Sequence, residues 1–198
     1  VGDNSTLLYY VGKNGNIVSN TDKLSVGDSS YIYTIKGSNN KFESNTKGTV
    51  TLKNDSAFIY SSDSTGNVVN KTNIASSGYS NYGIYSSGQV DNYGKIDFSS
   101  GVGSIGMYAY YPKESTYVLM GPSTPMPKVI NKAEGVIRVA ASDLRDPRDE
   151  KYGVGMAVGY TEKLGKDANG KTIVKQKAAG HIVNRGVISV THPNSIGM

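Results

Sequence analysis

The sequence predicts an all-β fold, a right-handed parallel β-helix of about six coils with three short strands in each coil. Two observations predict it: a composition suited to strands and turns, and a unit that recurs along the chain. Of the 198 residues, 24 are glycine and 15 are tyrosine, and no stretch shows the apolar spacing of a helix. The recurring unit contains one aligned asparagine in each of its six copies: Asn20, Asn45, Asn70, Asn92, Asn131 and Asn184.

Each asparagine is followed by two apolar runs that predict two further strands of the coil. The first run is a pair of inward positions two residues apart: Leu24/Val26, Val50/Leu52, Ile74/Ser76, Ile96/Phe98, Ile137/Val139 and Ile188/Val190. The second run is centred on Ile32, Ile59, Ile84, Met107, Met156 and Met198. Because side chains alternate along a strand and coils stack about 4.8 Å apart, these positions are expected to form inward columns and one continuous core.

The asparagine column is predicted to be structural rather than ligand-binding. Asparagine tolerates the left-handed backbone of a corner, and glycines such as Gly94 and Gly135 follow it closely. Stacked asparagine amides can also hydrogen-bond from one coil to the next. An apolar residue usually precedes the asparagine by two positions, as Val18 and Val68 do.

Tyrosines form a second predicted column, on the outer face of the third strand. Tyr33, Tyr60, Tyr85 and Tyr108 each follow an inward Ile or Met by one residue. A glycine often precedes that Ile or Met, and we expect it to share the tyrosine's face and leave bare backbone beneath the ring. The column is either a stabilising surface ladder or an aromatic platform for a sugar or a partner protein.

Two long insertions, over residues 110–128 and 160–180, interrupt the repeat between the third strand and the next asparagine strand. Insertions at the same corner of successive coils should project from one edge of the rod. The second contains Asn169-Gly170, which favours a type I′ hairpin. A shorter excursion over residues 142–151 leaves from a different corner.

The edge with the two long insertions is the predicted ligand-binding site, because loops on a rigid scaffold commonly carry function. An aromatic wall beside a hairpin with five lysines suits an acidic glycan or an acidic protein patch. The candidate residues are Tyr110, Tyr111, Tyr117, Lys163, Lys166, Lys171, Lys175 and Lys177, together with Tyr85 and Tyr108. The alternative is that the apolar residues of the first insertion pack beneath the second and leave no ligand site.

No catalytic, cofactor or metal site is predicted. The chain has no cysteine, which excludes disulfides and thiolate chemistry, and its two histidines, His181 and His192, are far in sequence from the Gly27-Asp28-Ser29 turn. The acidic residues of the 142–151 excursion alternate with basic ones, which favours a solvated, ion-paired loop. The net charge of +5 arises in residues 110–198, where 13 basic groups face 8 acidic ones, but these lack interleaved aromatics and do not indicate nucleic-acid binding.

The stretches NYGIYSSGQVDNYGKIDFSSGVGSIGMYA and GHIVNRGVISVTHPNSIGM resemble the passenger repeats of large type V autotransporter adhesins of the fusobacterial kind. Residues 70–198 carry the resemblance well, and residues 7–69 more loosely. The resemblance implies a fragment of a longer passenger, displayed at the cell surface by an outer-membrane protein whose C-terminal barrel lies outside this sequence. It also implies adhesion to glycans or proteins of host cells or other bacteria.

Three classes of function are consistent with these features. The first is a non-catalytic adhesive passenger, a monomeric rod that needs no cofactor. The second is a structural stalk whose binding tip lies elsewhere, and the third is a β-helix enzyme acting on glycan or peptide. An enzyme would require Asp143, Asp146 and Asp149 to face one cleft.

Overall fold

The computed structural model describes residues 1–110, 125–141, 152–168, 170, 172–177 and 180–198, of which residues 160–164, 172 and 174–177 are described by their backbone only. Within these ranges the chain forms strands and turns and no helix. No described segment therefore meets the requirements of a membrane-spanning helix.

The strands are short, as the period-2 runs predict. In the described residues they are β1 (Leu8–Lys13), β2 (Asn16–Ser19), β3 (Tyr31–Ser38), β4 (Lys41–Ser44), β5 (Thr49–Leu52), β6 (Ala57–Ser61), β7 (Asn67–Asn70), β8 (Asn73–Ser76), β9 (Tyr82–Ser86), β10 (Gln89–Asn92), β11 (Lys95–Asp97), β12 (Ile105–Ala109), β13 (Lys128–Asn131), β14 (Val136–Val139), β15 (Gly153–Val158), β16 (Tyr160–Lys166), β17 (Thr172–Lys177), β18 (His181–Asn184), β19 (Val187–Val190) and β20 (Ser195–Ile196).

Three parallel sheets run along the molecule. Sheet A is ordered β1-β3-β6-β9-β12-β15-β20, sheet B is β2-β4-β7-β10-β13-β18, and sheet C is β5-β8-β11-β14-β19. The chain visits sheets B, C and A in turn, so neighbouring strands of one sheet belong to successive coils. This is a parallel β-helix, which confirms the predicted fold class. The first coil has no strand in sheet C, and β1 adds a sheet A strand before the first predicted copy.

From the second coil onward the inward aliphatic columns are those predicted from the sequence, whereas in the first coil Tyr33 rather than Ile32 lies opposite Ile59. In sheet C, Ile96 lies opposite Ile74 on one side and Ile137 on the other. In sheet A, Met107 lies between Ile84 and Met156 in the same way. All six side chains are at most 1% exposed and belong to one hydrophobic cluster. A single coil could not bury them, so the stack is what stabilises each coil.

An asparagine ladder joins four coils on sheet B. Asn70, Asn92, Asn131 and Asn184 are in register, and each amide nitrogen donates to the next side-chain oxygen, over 2.8, 2.8 and 2.9 Å. Each amide also donates to a carbonyl of its own turn, as Asn92 does to Gly94 at 2.9 Å. This confirms the structural role and the coil-to-coil amide bonding.

The first two copies are shifted by one residue from the predicted alignment. Ser19 and Ser44, rather than Asn20 and Asn45, occupy the ladder column. Asn45 instead bonds Asn20 outside the buried column, at 3.1 Å. With the same shift, Val18 is 50% exposed rather than inward.

Tyr33 is the main correction to the tyrosine column, because it points into the core. It lies opposite Ile59 in sheet A and is 1% exposed. Its ring contacts Phe42 and Phe58 at centroid distances of 4.8 and 5.2 Å. Its hydroxyl lies 2.8 Å from Ser19 Oγ, so the serine that replaces asparagine in the ladder column satisfies the buried phenol.

The glycines of the third strand also face inward, contrary to expectation. A β-carbon on Gly83 would lie 3.2 Å from Ile96 Cγ2, and one on Gly106 would lie 3.0 Å from Ile137 Cγ2. Each would also lie 2.5 Å from the carbonyl oxygen of the equivalent glycine in the next coil. The glycine column therefore lets sheet A approach sheet C closely, and it does not underlie the tyrosine rings.

Candidate functional site

The outer face of sheet A carries two rows of side chains that run from coil to coil. The register aligns the first row at the start of the strands, Tyr31, Ala57, Tyr82, Ile105 and Val154. It aligns the second row three residues further along, Thr34, Tyr60, Tyr85, Tyr108 and Ala157. Tyr60, Tyr85 and Tyr108 are outward as predicted, while the tyrosines of the first row were not anticipated.

The second row forms an aromatic surface that Tyr110 completes. The Tyr85 ring lies 4.9 Å from that of Tyr108 and 4.4 Å from that of Tyr110, between centroids. Tyr110 also stacks on Tyr60 at 6.2 Å, and the hydroxyls of these two residues are 3.5 Å apart. We call Tyr60, Tyr85, Tyr108 and Tyr110 the tyrosine wall. The structure thus brings together three of the predicted site residues, Tyr85, Tyr108 and Tyr110.

The phenols of Tyr82, Tyr85, Tyr108 and Tyr110 remain protonated over the physiological range. Burial raises the pKa of Tyr82, Tyr85, Tyr108 and Tyr110, and the neighbouring tyrosines raise it further. For Tyr110 the hydrogen bond with Tyr60 adds to the effect of burial. These four side chains are therefore uncharged and offer ring surface and hydroxyl groups to a ligand.

The wall lies at the edge from which both long connections leave. The connection that follows Ala109 and the one that follows Val158 both run from sheet A to sheet B, and these two residues are paired neighbours in sheet A. Their destinations, Lys128 and His181, are paired neighbours in sheet B. The prediction that both insertions interrupt the same corner is confirmed.

The second insertion is a hairpin whose base touches the wall. Strands β16 and β17 pair antiparallel with each other and with no strand of the three large sheets. The Tyr108 hydroxyl donates to the Gly159 carbonyl just before β16. Residues 167–171 connect the two strands, with Gly170 at φ +77°, so the hairpin is confirmed with a longer loop than a two-residue turn.

Several predicted site residues cannot be placed in this surface. Tyr111, Tyr117 and Lys171 lie outside the described residues. Lys163, Lys175 and Lys177 are on the described backbone of the hairpin strands, and Lys166, at the end of β16, is exposed. The acidic residues of the 142–151 excursion, on which the enzyme alternative depends, also lie outside the described residues.

The Gly27-Asp28-Ser29 turn takes part in the coil stack. Asp28 Oδ1 accepts hydrogen bonds from the backbone and side-chain nitrogens of Asn54, at 3.1 and 3.3 Å. His181 and His192 belong to the last coil, at the opposite end of sheet B from the strand that precedes this turn. Among the described residues, no group of three or more histidines or carboxylates could hold a metal ion.

Sequence reasoning missed two polar ladders near the start of the third strands. In one, Asp3 accepts from the Asp28 amide, and Asp28 in turn accepts from the Asn54 amide. In the other, each backbone amide donates to the side chain of the next coil: Ser5 to Ser30, Ser30 to Ser56, Ser56 to Asn81, and Asn81 to Ser104. The signal in the sequence is a small polar residue at a constant distance before each third strand.

Two cavities open on the outer face of sheet A. The larger, of about 520 Å³, is a groove along the start of the strands whose lining includes Tyr31, Tyr82 and Asp55. The smaller, of about 230 Å³, lies over Ala57 between tyrosine rings.

The chain matches no protein-family model, and comparisons with curated proteins and with solved structures found no match.

Proposed function

We propose that this chain is a non-catalytic adhesive segment of an autotransporter passenger, displayed at the surface of the outer membrane as a monomeric rod. Its ligands are glycans or proteins on host cells or other bacteria. The observation that carries the proposal is the tyrosine wall, which lies at the edge of the β-helix where both long connections leave. The resemblance of the repeats to autotransporter adhesins supports surface display.

The wall has the properties of a recognition surface. Its rings make mutual contacts at 4.4 to 6.2 Å, so little side-chain entropy remains to be lost when a ligand binds. Tyrosine offers an apolar ring and a polar hydroxyl together, which suits sugars and polar protein surfaces. The β-helix holds Tyr60, Tyr85 and Tyr108 on strands, and Tyr110 directly follows β12.

The charge of the adjoining hairpin supports an acidic ligand. Residues 160–177 contain five lysines against Glu162 and Asp167. Lys166 is exposed at the end of β16, on the same connection whose base bonds Tyr108. A positive hairpin beside an uncharged aromatic wall favours a sialylated or otherwise acidic glycan, or an acidic protein patch.

The test is a pair of variants in a glycan array and a cell-binding assay. The first replaces residues 163–177 with a short Gly linker, and the second is Tyr110→Ala. Both are expected to reduce binding at least about tenfold, since each removes one half of the surface. Far-UV circular dichroism should remain that of a β-helix, because β16 and β17 pair only with each other.

The control is Tyr9→Ala, which removes a 62% exposed tyrosine of β1, two strands from Tyr60 in sheet A. It should bind like the parent. If the parent binds and the hairpin deletion binds equally well, the site lies elsewhere and the assignment is wrong. If the parent binds no glycan and no cell, the stalk alternative replaces the adhesive one.

A further inference from the structure

Four tyrosines form a box around Ala57 on the outer face of sheet A. Tyr31, Tyr60, Tyr82 and Tyr85 line, with Ala57, a cavity of about 230 Å³. We call these four side chains the tyrosine box. Ala57 lies between Tyr31 and Tyr82 in the first row, so a small residue leaves a depression between two rings that are two coils apart.

Two pairs of rings in the box meet at right angles. Tyr31 and Tyr60 are edge-to-face, with an interplanar angle of 89° and centroids 5.7 Å apart. Tyr82 and Tyr85 are edge-to-face at 90° and 5.2 Å. Tyr60 and Tyr85 stack on each other at 5.5 Å and connect the two corners. Ring surface therefore bounds the cavity on several sides rather than forming one flat stacking face.

The box opens into the larger groove, whose described lining includes one acidic side chain. Tyr31, Ala57 and Tyr82 line both cavities. Asp55 is the only charged side chain among the groove-lining residues that the structure describes, and it is exposed. Its carboxylate forms no salt bridge with a described residue. A ligand in the box would thus interact electrostatically with four aromatic rings and one nearby carboxylate.

We propose that the tyrosine box binds a quaternary ammonium group, such as the trimethylammonium of a choline headgroup, with Asp55 at its entrance. Electron-rich ring faces attract a cation that water hydrates weakly, and an enclosure of several rings is the arrangement that such cations prefer. The headgroup is small enough for the cavity, and Ala57 provides a floor without a competing side chain. This inference goes beyond the proposed adhesion to acidic ligands and does not depend on it.

A neutral sugar fits the same residues less well. Vicinal hydroxyls are normally held by amide groups, which donate and accept, by guanidinium groups, which donate, or by carboxylates, which accept. The described residues that line the two cavities include no such amide or guanidinium side chain. The ring-bounded shape and the single carboxylate both favour a compact cation.

The experiment titrates the whole chain with choline chloride by isothermal titration calorimetry in about 0.15 M salt. The matched probe is 3,3-dimethyl-1-butanol, which has the same shape without the charge. Choline is expected to bind at least about tenfold tighter than the neutral probe.

Tyr82→Leu keeps apolar bulk but removes the ring, and it should weaken choline binding about tenfold. Tyr82→Phe keeps the ring and should bind within about threefold of the parent.

Further titrations distinguish the possible sources of the choline headgroup. Phosphocholine tests a soluble or glycan-linked group, and phosphatidylcholine vesicles test a lipid surface, with phosphatidylglycerol vesicles as the control for net charge. Asp55→Asn should weaken choline about threefold, and Tyr9→Ala should have no effect. Equal affinity for choline and the neutral probe would overturn the proposal. So would unchanged choline binding by folded Tyr82→Leu, or a neutral sugar whose binding that variant abolishes.

Discussion

Gly106 illustrates how a single residue decides the separation of two sheets. Its position faces the core, and a β-carbon there would lie 2.5 Å from the Gly155 carbonyl oxygen. The equivalent position in the two preceding glycine-free coils holds bulky Phe58 and Ile32, each buried. The coils from Gly83 onward therefore use a different local packing, in which backbone lies where a side chain would otherwise fill the space.

Gly106→Ala should destabilise the protein by about 1–3 kcal/mol, because the new methyl group overpacks against backbone that cannot move freely. Gly48→Ala is the matched control, since its β-carbon would meet only the Asp22 carbonyl at 3.8 Å, an ordinary contact. That control should stay within about 0.5 kcal/mol of the parent. Urea denaturation measures both. Equal losses for the two variants would show that the close approach of sheets A and C is not what requires glycine.

The asparagine ladder acts at the scale of strands, because it ties the end of each sheet B strand to the next. Asn92 accepts from Asn70, donates to Asn131 and donates to the Gly94 carbonyl, and it is fully buried. In the first two coils serines take this column, and Ser19 instead satisfies Tyr33. The ladder therefore stabilises the later coils more than the first.

Asn92→Ala should cost about 3–5 kcal/mol, since it removes a hydrogen-bond partner from three buried polar groups, the Asn70 amide, the Asn131 side-chain oxygen and the Gly94 carbonyl. Asn45→Ala removes a comparable amide outside the buried column, where only the bond to Asn20 joins it to the neighbouring coil. Its cost should be below about 1 kcal/mol. Thermal unfolding followed by circular dichroism distinguishes the two. A small loss for Asn92→Ala would indicate that water replaces the ladder bonds.

At the scale of the whole molecule, stability is a property of stacked coils rather than of any one coil. Ile96, in a central coil, is fully buried, whereas Ile188, in the same inward column of the last coil, is only partly buried. Each coil gains burial from the coil on either side. Central coils are thus expected to open less often than terminal ones.

Ile96→Ala should destabilise its region by about 2–5 kcal/mol. Ile188→Ala should destabilise its region by roughly half as much, because Ile188 is already partly exposed to solvent before its side chain is shortened. Native-state amide hydrogen exchange measures the loss coil by coil, which suits a repeat protein better than one global midpoint. Ile96→Asp should be more severe, since it places a charge in the dry column. Equal losses at both isoleucines would contradict a core built by stacking.

Much of the architecture could be predicted from the repeat. Alternating Ile and Val positions give the strands, and the recurrence of the unit gives the coils and the stacking of Ile74, Ile96 and Ile137. The constant position of the insertions gives the edge from which the hairpin leaves. The placement of Tyr85, Tyr108 and Tyr110 on one outer surface also follows from this pattern.

The sequence by itself determined the features that depend on spacing within a coil: the three strands, the inward columns, the asparagine ladder from Asn70 onward and the shared corner of the insertions. Only the tertiary structure decided the register of the first two coils, in which Tyr33 rather than Ile32 lies opposite Ile59 although both side chains are buried. It alone brought Tyr31, Tyr60, Tyr82 and Tyr85 around Ala57. Alternation of side chains is a local property of one strand. A box of four rings depends instead on which residues of three successive coils lie opposite one another. Hydrogen bonding between the coils sets that register.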